Sequence, residues 1–302
     1  MAYIKTTKYI WIDGKFVRWQ EAKVHILTHA LHYGSSVFEG IHSYKTDKGT
    51  AIFRLDEHIK RLFYSANSMC MSFKLTKKQL KNLIIGLVNI NKLKDAYIRP
   101  LAYYGYGKVG VFPRDVPTSI AIIAMPWEHY YSKPLRVMTS KFERHSEKST
   151  VFGAKIGGNY ANSILAMYDS RKKGYDEALM LDHQGFVSEG PAENIFLVKN
   201  GGLITPNSRS ALHGITRKSI LEISKDMGIK SYEKRVKLSE VKNADELFYC
   251  GTATEIAPII AADDKKIGNG KVGEVTSKLR NKFYSIVRGK DKNYARWLTF
   301  VN

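Results

Sequence analysis

Residues 153–160 read Gly-Ala-Lys-Ile-Gly-Gly-Asn-Tyr, and this stretch sets one lysine, Lys155, among small and apolar residues. An apolar setting disfavours the charged ammonium, and the neutral amine can attack a carbonyl as Schiff-base lysines do. The paired glycines Gly157 and Gly158 would allow the backbone to approach a ligand closely. Taken alone, the stretch still favours an ordinary loop lysine, because isolated lysines are usually solvated.

Three further segments carry polar groups in settings that ligand sites use. Glu193 lies in a turn rich in glycine and proline that precedes a strand. The run His213-Gly-Ile-Thr opens a predicted helix, whose first backbone amides can bind an anion. The run Gly251-Thr-Ala-Thr follows a strand and adds amides and hydroxyls that could hold phosphate or carboxylate. Each pattern also occurs in ordinary turns and helix caps, so none identifies a site alone.

The composition is that of an ordinary folded protein with an excess of basic residues. The 302 residues are 44% hydrophobic and 25% charged, which excludes disordered, collagen-like and coiled-coil classes. Lys and Arg number 48 against 28 Asp and Glu, giving a net charge of +20. Such a charge raises the possibility of nucleic-acid binding. The basic residues are scattered without a tail or block, which favours a solvated basic surface instead.

The sequence predicts a reduced, cytoplasmic protein that neither spans nor binds a membrane. The N-terminus has no apolar signal region, and the longest uncharged apolar stretch, 120–126, is too short to cross a bilayer. The two cysteines, Cys70 and Cys250, are far apart and lie outside any CxxC motif, so neither a disulfide framework nor a cysteine-rich zinc site is expected.

The order of predicted elements divides the chain into two domains joined by a linker. Strands, two amphipathic helices and two further strands form an α+β domain over residues 1–125. Residues 126–134 contain two prolines and no periodicity, and we place the linker there. Strands and helices then alternate through a larger domain, 135–302, which includes a hairpin turning at Asn200-Gly201 and a last helix over 274–287.

Two motifs resemble binding sites but do not fit their structural context. Gly105-Tyr-Gly-Lys-Val-Gly matches a dinucleotide-binding fingerprint, but the prolines that follow make the required helix unlikely and favour a loop. His25, His29 and His32 have the spacing of zinc ligands on a helix. The alternation around them indicates a strand, which would disperse the rings, and this favours packing roles over a metal site.

Six runs, in this order, resemble the branched-chain amino-acid aminotransferases within the class IV fold of pyridoxal-phosphate enzymes. They are His29-Ala-Leu-His-Tyr-Gly-Ser-Ser-Val-Phe-Glu-Gly-Ile, Ala96-Tyr-Ile-Arg-Pro-Leu, Lys155-Ile-Gly-Gly-Asn-Tyr, Glu189-Gly-Pro-Ala-Glu-Asn, Gly214-Ile-Thr-Arg and Gly251-Thr-Ala-Thr-Glu. The resemblance covers nearly the whole chain. It implies an α/β fold of the α+β type in two domains: a smaller N-terminal α+β domain and a larger C-terminal cofactor-binding domain with a mixed, barrel-like sheet.

The resemblance implies pyridoxal 5'-phosphate as cofactor and no metal. Lys155 would be the catalytic lysine that carries the cofactor, and Glu193 would keep its pyridine nitrogen protonated. Tyr160 would hydrogen-bond the phenolic oxygen of the ring, and Leu212 would pack on the ring face. The phosphate would be held by Arg61, Ile215, Thr216 and Thr252.

The resemblance also implies where two kinds of substrate bind. Tyr97 and the amides of Thr252 and Ala253 would hold the α-carboxylate, and Arg99 the distal carboxylate of glutamate. The apolar side-chain pocket would be formed by Phe38, Tyr130 and Tyr160, with Tyr33 and Val111 from a neighbouring subunit of a homodimer or larger homo-oligomer. The expected reaction is a ping-pong exchange of the amino group between leucine, isoleucine or valine and 2-oxoglutarate.

Two other kinds of function remain as alternatives at this point. The same fold serves D-amino-acid aminotransferases and aminodeoxychorismate lyases. A different class, a basic nucleic-acid-binding protein, would follow from the net charge alone.

Overall fold

A computed structural model describes residues 4–127 and 131–301 of the chain, and the elements below are numbered in chain order. The strands are β1 Tyr9–Ile12, β2 Lys15–Arg18, β3 Ser36–Phe38, β4 Ile41–Thr46, β5 Gly49–Phe53, β6 Ala96–Tyr104, β7 Thr118–Pro126, β8 Leu135–Thr139, β9 Glu177–Leu181, β10 Val187–Glu189, β11 Asn194–Lys199, β12 Gly202–Pro206, β13 Ser231–Lys234, β14 Glu246–Gly251, β15 Glu255–Ala262, β16 Lys265–Lys266 and β17 Leu298–Phe300. The α-helices are α1 His29–Tyr33, α2 Leu55–Ser68, α3 Lys77–Ile90, α4 Tyr160–Lys172, α5 Ile215–Asp226, α6 Leu238–Lys242 and α7 Glu274–Val287, and short 3-10 helices cover Trp19–Glu21 and Lys292–Trp297.

The chain forms two compact units, and neither is a single continuous segment. The first unit comprises Met1–Glu128, Ala154–Gly158 and Ser285–Asn302, and the second comprises His129–Gly153 and Asn159–Tyr284. Residues 154–158 and 285–302 therefore belong with the N-terminal segment, whereas the boundaries expected from sequence put both in the domain 135–302. The linker over 126–134 stays a prediction.

The first unit is built on one antiparallel sheet in the order β17-β5-β4-β6-β7-β1-β2, with β3 also paired to β6. Strands β6 and β7 form its longest ladder, with Ala96 opposite Pro126 and Tyr104 opposite Thr118. Helices α2 and α3 each bury one apolar stripe in the core of this unit. Thr76 caps α3: its Oγ1 accepts from Gln79 N at 3.2 Å, and Thr76 N donates to Gln79 Oε1 at 2.8 Å.

The second unit is built on a mixed sheet in the order β10-β9-β8-β15-β14-β11-β12-β13, with β16 paired to β15. Strand β8 pairs parallel with both β9 and β15, and β12 pairs parallel with β13. Phe196 and Phe248 stack in its interior at a ring-centroid distance of 5.1 Å. No helix in the described part of the chain has the length and apolar character that a membrane crossing requires.

The structure corrects the expectation of a strand around the three histidines. His29 and His32 lie on the short helix α1, and the His29 ring is buried, with Ser35 Oγ at 2.7 Å and the Gly110 carbonyl at 2.8 Å. His29 therefore has the packing role that was expected of it, although on a helix. Across residues 4–127 and 131–301, no group of three His, Cys, Asp or Glu residues could hold a metal ion. As predicted, a loop and not a helix follows Gly105.

Candidate active site

Lys155 is held by its backbone against β3 in the first unit. Phe38 N donates to the Lys155 carbonyl at 3.2 Å, and Ile156 forms an antiparallel bridge with Val37. Lys155 N donates to Ser65 Oγ at 2.9 Å. The lysine backbone is thus tied to a strand on one side and to helix α2 on the other, which fixes where its half-buried side chain begins.

The glycines after Lys155 serve this close packing. A Cβ on Gly157 would lie 2.1 Å from Ser36 Oγ, and a Cβ on Gly158 would lie 3.1 Å from the Gly34 carbonyl oxygen. Both distances are too short for an alanine without movement of the neighbouring chain. The two glycines therefore allow a close approach to Ser36 and Gly34 in the same unit, and the expected approach to a ligand stays a prediction.

Lys155, Phe38, Tyr97 and Arg99 come together in the first unit. Lys155 Nζ lies 4.9 Å and the Arg99 guanidinium carbon 4.4 Å from the centroid of the Phe38 ring. Arg99 Nη2 donates to Tyr97 Oη at 2.8 Å, and the two residues share one face of β6 because they are two positions apart. One apolar ring thus has an amine and a guanidinium within contact range.

Arg61 belongs to a buried cluster of charged groups that sequence reasoning missed. His58 and Arg61 lie on the face of α2 that carries Ser65, and both contact the fully buried Glu39. Arg61 Nε and Nη2 donate to the two Glu39 carboxylate oxygens at 2.6 and 2.9 Å, and His58 Nδ1 lies 2.7 Å from Oε2. Burial opposes ionisation of Glu39, but the charges and hydrogen bonds of Arg61 and His58 outweigh it and lower its pKa to about 2.

The same cluster affects His58. Burial lowers the pKa of His58, while the Glu39 carboxylate acts to raise it and the positive charges of Arg61 and Lys155 act to lower it. The charge of Lys155 therefore affects the pKa of a residue in the cluster that orients Arg61. Paired contacts from one carboxylate fix the Arg61 guanidinium in place.

The remaining predicted residues of the first unit lie at its surface. Tyr33 is 41% exposed and Val111 is 84% exposed. Tyr33 Oη accepts a hydrogen bond from Gly110 N at 3.1 Å, so α1 and the loop before Val111 are in contact. Tyr130 lies outside the described residues.

In the second unit, Glu193 is buried in a tight turn. Its Oε2 accepts from Ala192 N at 3.0 Å, and its Oε1 accepts from Thr254 Oγ1 at 3.1 Å. A Cβ on Gly190 would lie 3.1 Å from both Glu193 Oε2 and Tyr249 Cζ, so glycine is needed where the turn passes these side chains. Thr254 brings the loop between β14 and β15, which contains Thr252 and Ala253, next to Glu193.

The N-terminus of α5 presents backbone amides that could bind an anion. Gly214 is its N-cap, and no side chain caps the helix there, which leaves the amides of Ile215 and Thr216 to a ligand. A Cβ on Gly214 would lie 2.1 Å from Asn194 Oδ1. Asn194 Nδ2 in turn donates to the Leu212 carbonyl at 2.7 Å, so this entry to the helix is fixed from β11. Tyr160 begins α4 and is half-buried.

Glu177 is a second functional candidate that sequence reasoning missed. It is fully buried at the start of β9, where Tyr131 Oη donates to its Oε2 and Ala178 N donates to its Oε1 at 3.0 Å. Burial, together with the negative charge of Glu193, raises the pKa of Glu177 to about 8. The only signal in the sequence is a single acidic residue at the head of the apolar run Glu177-Ala-Leu-Met-Leu.

These residues fit the groups of pyridoxal phosphate. The uncapped amides of α5 suit a phosphate, and the buried Glu193 suits a protonated ring nitrogen. The primary amine of Lys155 beside an apolar ring suits a carbonyl. Each of the three polar parts of the cofactor therefore has a matching group in this chain.

The family is identified by a comparison with known protein families. The family model described as amino-transferase class IV matches residues 36–262, about three quarters of the chain. The chain therefore belongs to the class IV aminotransferases, enzymes that transfer amino groups and use pyridoxal phosphate as cofactor. The expected fold class is confirmed.

Within that family, the relatives carry the name branched-chain-amino-acid aminotransferase. The enzyme of Pseudomonas aeruginosa is 42% identical over 297 residues, which cover 97% of both chains. The enzyme of Escherichia coli K12 is 39% identical over 305 residues, which cover 99% of both.

A solved structure of the T.th. branched-chain amino acid aminotransferase has the same fold. It matches with a TM-score of 0.95 and 41% identity, covering 98% of this chain and 99% of its own. Other structures of that protein contain N-(5'-phosphopyridoxyl)-L-glutamate, 4-methylvaleric acid or pyridoxamine 5'-phosphate.

Proposed function

We propose that the enzyme exchanges the amino group of leucine, isoleucine or valine with 2-oxoglutarate. The observation that carries the proposal is the position of Lys155 Nζ and the Arg99 guanidinium over the same Phe38 ring, at 4.9 and 4.4 Å. An apolar ring suits a branched side chain, and an adjacent guanidinium suits the distal carboxylate of a dicarboxylate substrate. The names of the relatives support the branched-chain substrate. The T.th. protein forms complexes with 4-methylvaleric acid and with a phosphopyridoxyl-glutamate, which support the branched and the dicarboxylate substrate respectively.

The cofactor-binding roles follow from the groups that each residue offers. Lys155 supplies the amine that carries the cofactor, and Glu193 holds a proton at the pyridine nitrogen because an adjacent carboxylate favours the charged form of the ring. The amides of Ile215 and Thr216, with Arg61 and Thr252, bind the phosphate. Tyr160 donates to the phenolic oxygen and Leu212 packs on the ring.

The substrate-binding roles divide between carboxylate and side chain. Tyr97 and the amides of Thr252 and Ala253 bind the α-carboxylate, and Arg99 binds the second carboxylate of glutamate. Phe38, Tyr130 and Tyr160 contact the branched side chain. Arg99 donates a hydrogen bond to Tyr97 Oη at 2.8 Å, and this contact orients the guanidinium for binding that carboxylate.

Pyridoxal phosphate supplies an electron sink that stabilises negative charge at the substrate Cα. The protein supplies the proton transfer: the Lys155 amine would take the proton from the substrate Cα and donate it to the carbonyl carbon of the cofactor. Lys155 can act at a fixed place because its backbone is tied to Phe38 N and Ser65 Oγ. The paired Glu39 and His58 keep Arg61 oriented while substrates exchange.

We propose in addition that two copies assemble, so that Tyr33 and Val111 reach a neighbouring active site. Segment 25–33 contacts segment 106–110 through the His25–Tyr106 ring pair and the Tyr33–Gly110 hydrogen bond. Large apolar side chains around this contact are 59–84% exposed: Ile26, Leu31, Val109, Val111 and Phe112. An exposed apolar patch of this kind marks an interaction surface, and most soluble oligomers are closed homo-oligomers.

Replacement of Lys155 tests the proposal directly. The purified protein should be yellow, borohydride should fix the cofactor to the peptide that contains Lys155, and Lys155→Ala should lose at least 1,000-fold in transamination, about 4 kcal/mol of activation free energy. The matched control is Lys148→Ala, an exposed lysine of the preceding loop that should retain activity.

A substrate panel decides between the alternatives. Turnover of L-leucine with 2-oxoglutarate as acceptor supports the proposal, and turnover of D-alanine but not of L-leucine contradicts it in favour of the D-amino-acid activity. A colourless protein retained on DNA in a salt-sensitive way would favour nucleic-acid binding.

A further inference from the structure

The loop that follows β14 ends in a glutamate with an unfavourable backbone conformation. Gly251 pairs with Glu255 across the β14–β15 hairpin, so residues 252–254 form its loop. Glu255 has a φ of +55°, in the left-handed region that normally favours glycine. Non-glycine residues keep such a conformation only where their surroundings hold them, and they cluster at functional sites.

The Glu255 side chain is held from helix α7. Its Oε2 accepts a hydrogen bond from Tyr284 Oη at 2.7 Å, and Glu255 is only 4% exposed. Burial, followed by the charge of Glu255, raises the pKa of Tyr284 to about 12. Because the tyrosine keeps its proton at neutral pH, it remains a hydrogen-bond donor to this carboxylate.

Helix α7, which carries Tyr284, is itself held at its N-terminus. Glu246, at the start of β14, caps the helix by accepting from Val275 N at 3.0 Å and from Thr276 N at 2.7 Å. Arg280 lies one turn before Tyr284, with its guanidinium carbon 5.6 Å from the tyrosine ring centroid. The strand before the loop and the helix that anchors its end are therefore joined to each other.

The loop is also fixed next to the buried carboxylate of Glu193. Thr254 is 7% exposed, and its Oγ1 donates to Glu193 Oε1 at 3.1 Å. Thr252 and Ala253 thus lie between the hairpin's first strand and two anchored residues, Thr254 and Glu255. The two residues that follow Thr252 and Ala253 are therefore both anchored by side-chain hydrogen bonds, which restricts rotation of the preceding N–H groups.

We propose that Glu255 and Tyr284 are positioning residues that fix the backbone N–H groups of Thr252 and Ala253 in the orientation that binds the substrate α-carboxylate. The inference rests on the proposed function, which assigns the carboxylate to these amides. Neither Glu255 nor Tyr284 contacts the substrate; they act through the conformation of the loop.

The test compares carboxylate binding with folding stability in four variants. Tyr284→Phe should raise both the Kd of the holoenzyme for 4-methylvalerate, followed by cofactor absorbance, and the KM for L-leucine by about 5–10-fold, with kcat within about twofold of wild type. Glu255→Gln retains an acceptor oxygen, so its Kd for 4-methylvalerate, its KM for L-leucine and its kcat should stay within about twofold of wild type. Tyr168→Phe, at an exposed tyrosine of α4, is the matched control.

Glu255→Gly separates positioning from backbone strain. Glycine adopts the left-handed conformation freely, which offsets part of the loss of the buried Tyr284 contact, so the thermal midpoint of this variant should fall no further than that of Tyr284→Phe, while its Kd for 4-methylvalerate rises as in Tyr284→Phe. Wild-type affinity for 4-methylvalerate in both Tyr284→Phe and Glu255→Gly would overturn the inference, even if stability falls. A wild-type enzyme that fails to bind 4-methylvalerate and to transaminate L-leucine would overturn the proposed function as well.

Discussion

Glu39 is the buried charge on which the orientation of Arg61 depends. Its pKa is lowered to about 2, below the ordinary value of 4.5, so its contribution to stability is complete above about pH 4.5 and is lost as the pH falls toward 2. Glu39→Gln should lower the free energy of unfolding at pH 7 by about 3 kcal/mol, because Arg61 and His58 lose a charged partner. Urea unfolding measured from pH 7 to pH 2.5 checks this. The difference in free energy of unfolding between wild type and Glu39→Gln should narrow as the pH falls. A difference that stays constant would contradict the lowered pKa of Glu39.

Glu177 should produce the opposite pH dependence. Burial and Glu193 raise its pKa to about 8, so between pH 4.5 and 8 the folded protein holds a proton that the unfolded chain has released. The free energy of unfolding therefore falls as the pH rises through this range. Glu177→Gln cannot ionise, and its stability relative to wild type should increase from pH 5 to pH 8 in thermal unfolding.

The exposed Glu143 provides the control for that measurement. Glu143→Gln should track the wild type across the same pH range. If Glu177→Gln also tracks the wild type, Glu177 is ionised at neutral pH, and burial and Glu193 do not raise its pKa to about 8.

Individual residues differ in how far the sequence reveals them. Lys155 stands out because its neighbours are small and apolar, and Thr216 because it lies in the first turn of a predicted helix. Glu39, Glu177 and Glu255 gave no comparable signal, since each owes its properties to partners distant in sequence. The partner of Glu255, for example, is Tyr284, 29 positions away.

The segment that carries Lys155 depends on glycine for its contact with β3. Gly157→Ala would place a methyl group 2.1 Å from Ser36 Oγ, so the segment must shift. We expect a loss of about 1–3 kcal/mol in stability and at least a tenfold loss in transamination. Calorimetry and steady-state kinetics on the same preparation measure both.

Gly86→Ala is the matched control because Gly86 lies within α3 with no contact to a new Cβ shorter than 4.0 Å. Alanine is the better helix former there and should stabilise the protein by about 0.5–1 kcal/mol without a change in activity. Equal effects from the two substitutions would show that the approach of Gly157 to β3 has no special role.

Elements with strong periodicity were predictable, and elements defined by long-range pairing were not. Helix α7 has the bounds that its pattern indicated, and the two amphipathic helices expected in the N-terminal domain are α2 and α3. Strand β15 was missed because Pro258 interrupts a buried run without alternation, yet its neighbours β8 and β14 define it. Helix α1 was interpreted as a strand because a helix of five residues has too little periodicity to override local alternation.

Assembly into dimers should depend on the exposed apolar patch around segments 25–33 and 106–112. Phe112 is 79% exposed, and Phe112→Glu introduces a charge that would have to be buried in an interface. Light scattering after size exclusion should show the wild type as a dimer or larger oligomer and Phe112→Glu shifted toward monomer, with reduced activity. Tyr168→Glu, at a tyrosine that is 65% exposed on α4, should leave assembly unchanged.

The division of the chain into units could not be predicted from composition. The run Ala154–Gly158 contains no strand or helix of its own, and it joins the first unit through contacts with β3, α2 and the core of that unit. The net charge of +20 was equally uninformative about function, because its basic residues are spread over the whole sequence.

The discontinuous course of the chain has a consequence for protein engineering. Because Ala154 and Ile156 fill the same apolar core as Val37, a gene truncated after residue 128 would encode a fragment with a gap in its interior. Such a fragment should be insoluble when expressed by itself. A first unit that folds alone would need all three of its segments in one chain. Two designed connectors would join residues 1–128 to Ala154–Gly158 and that pentapeptide to the C-terminal stretch from Ser285.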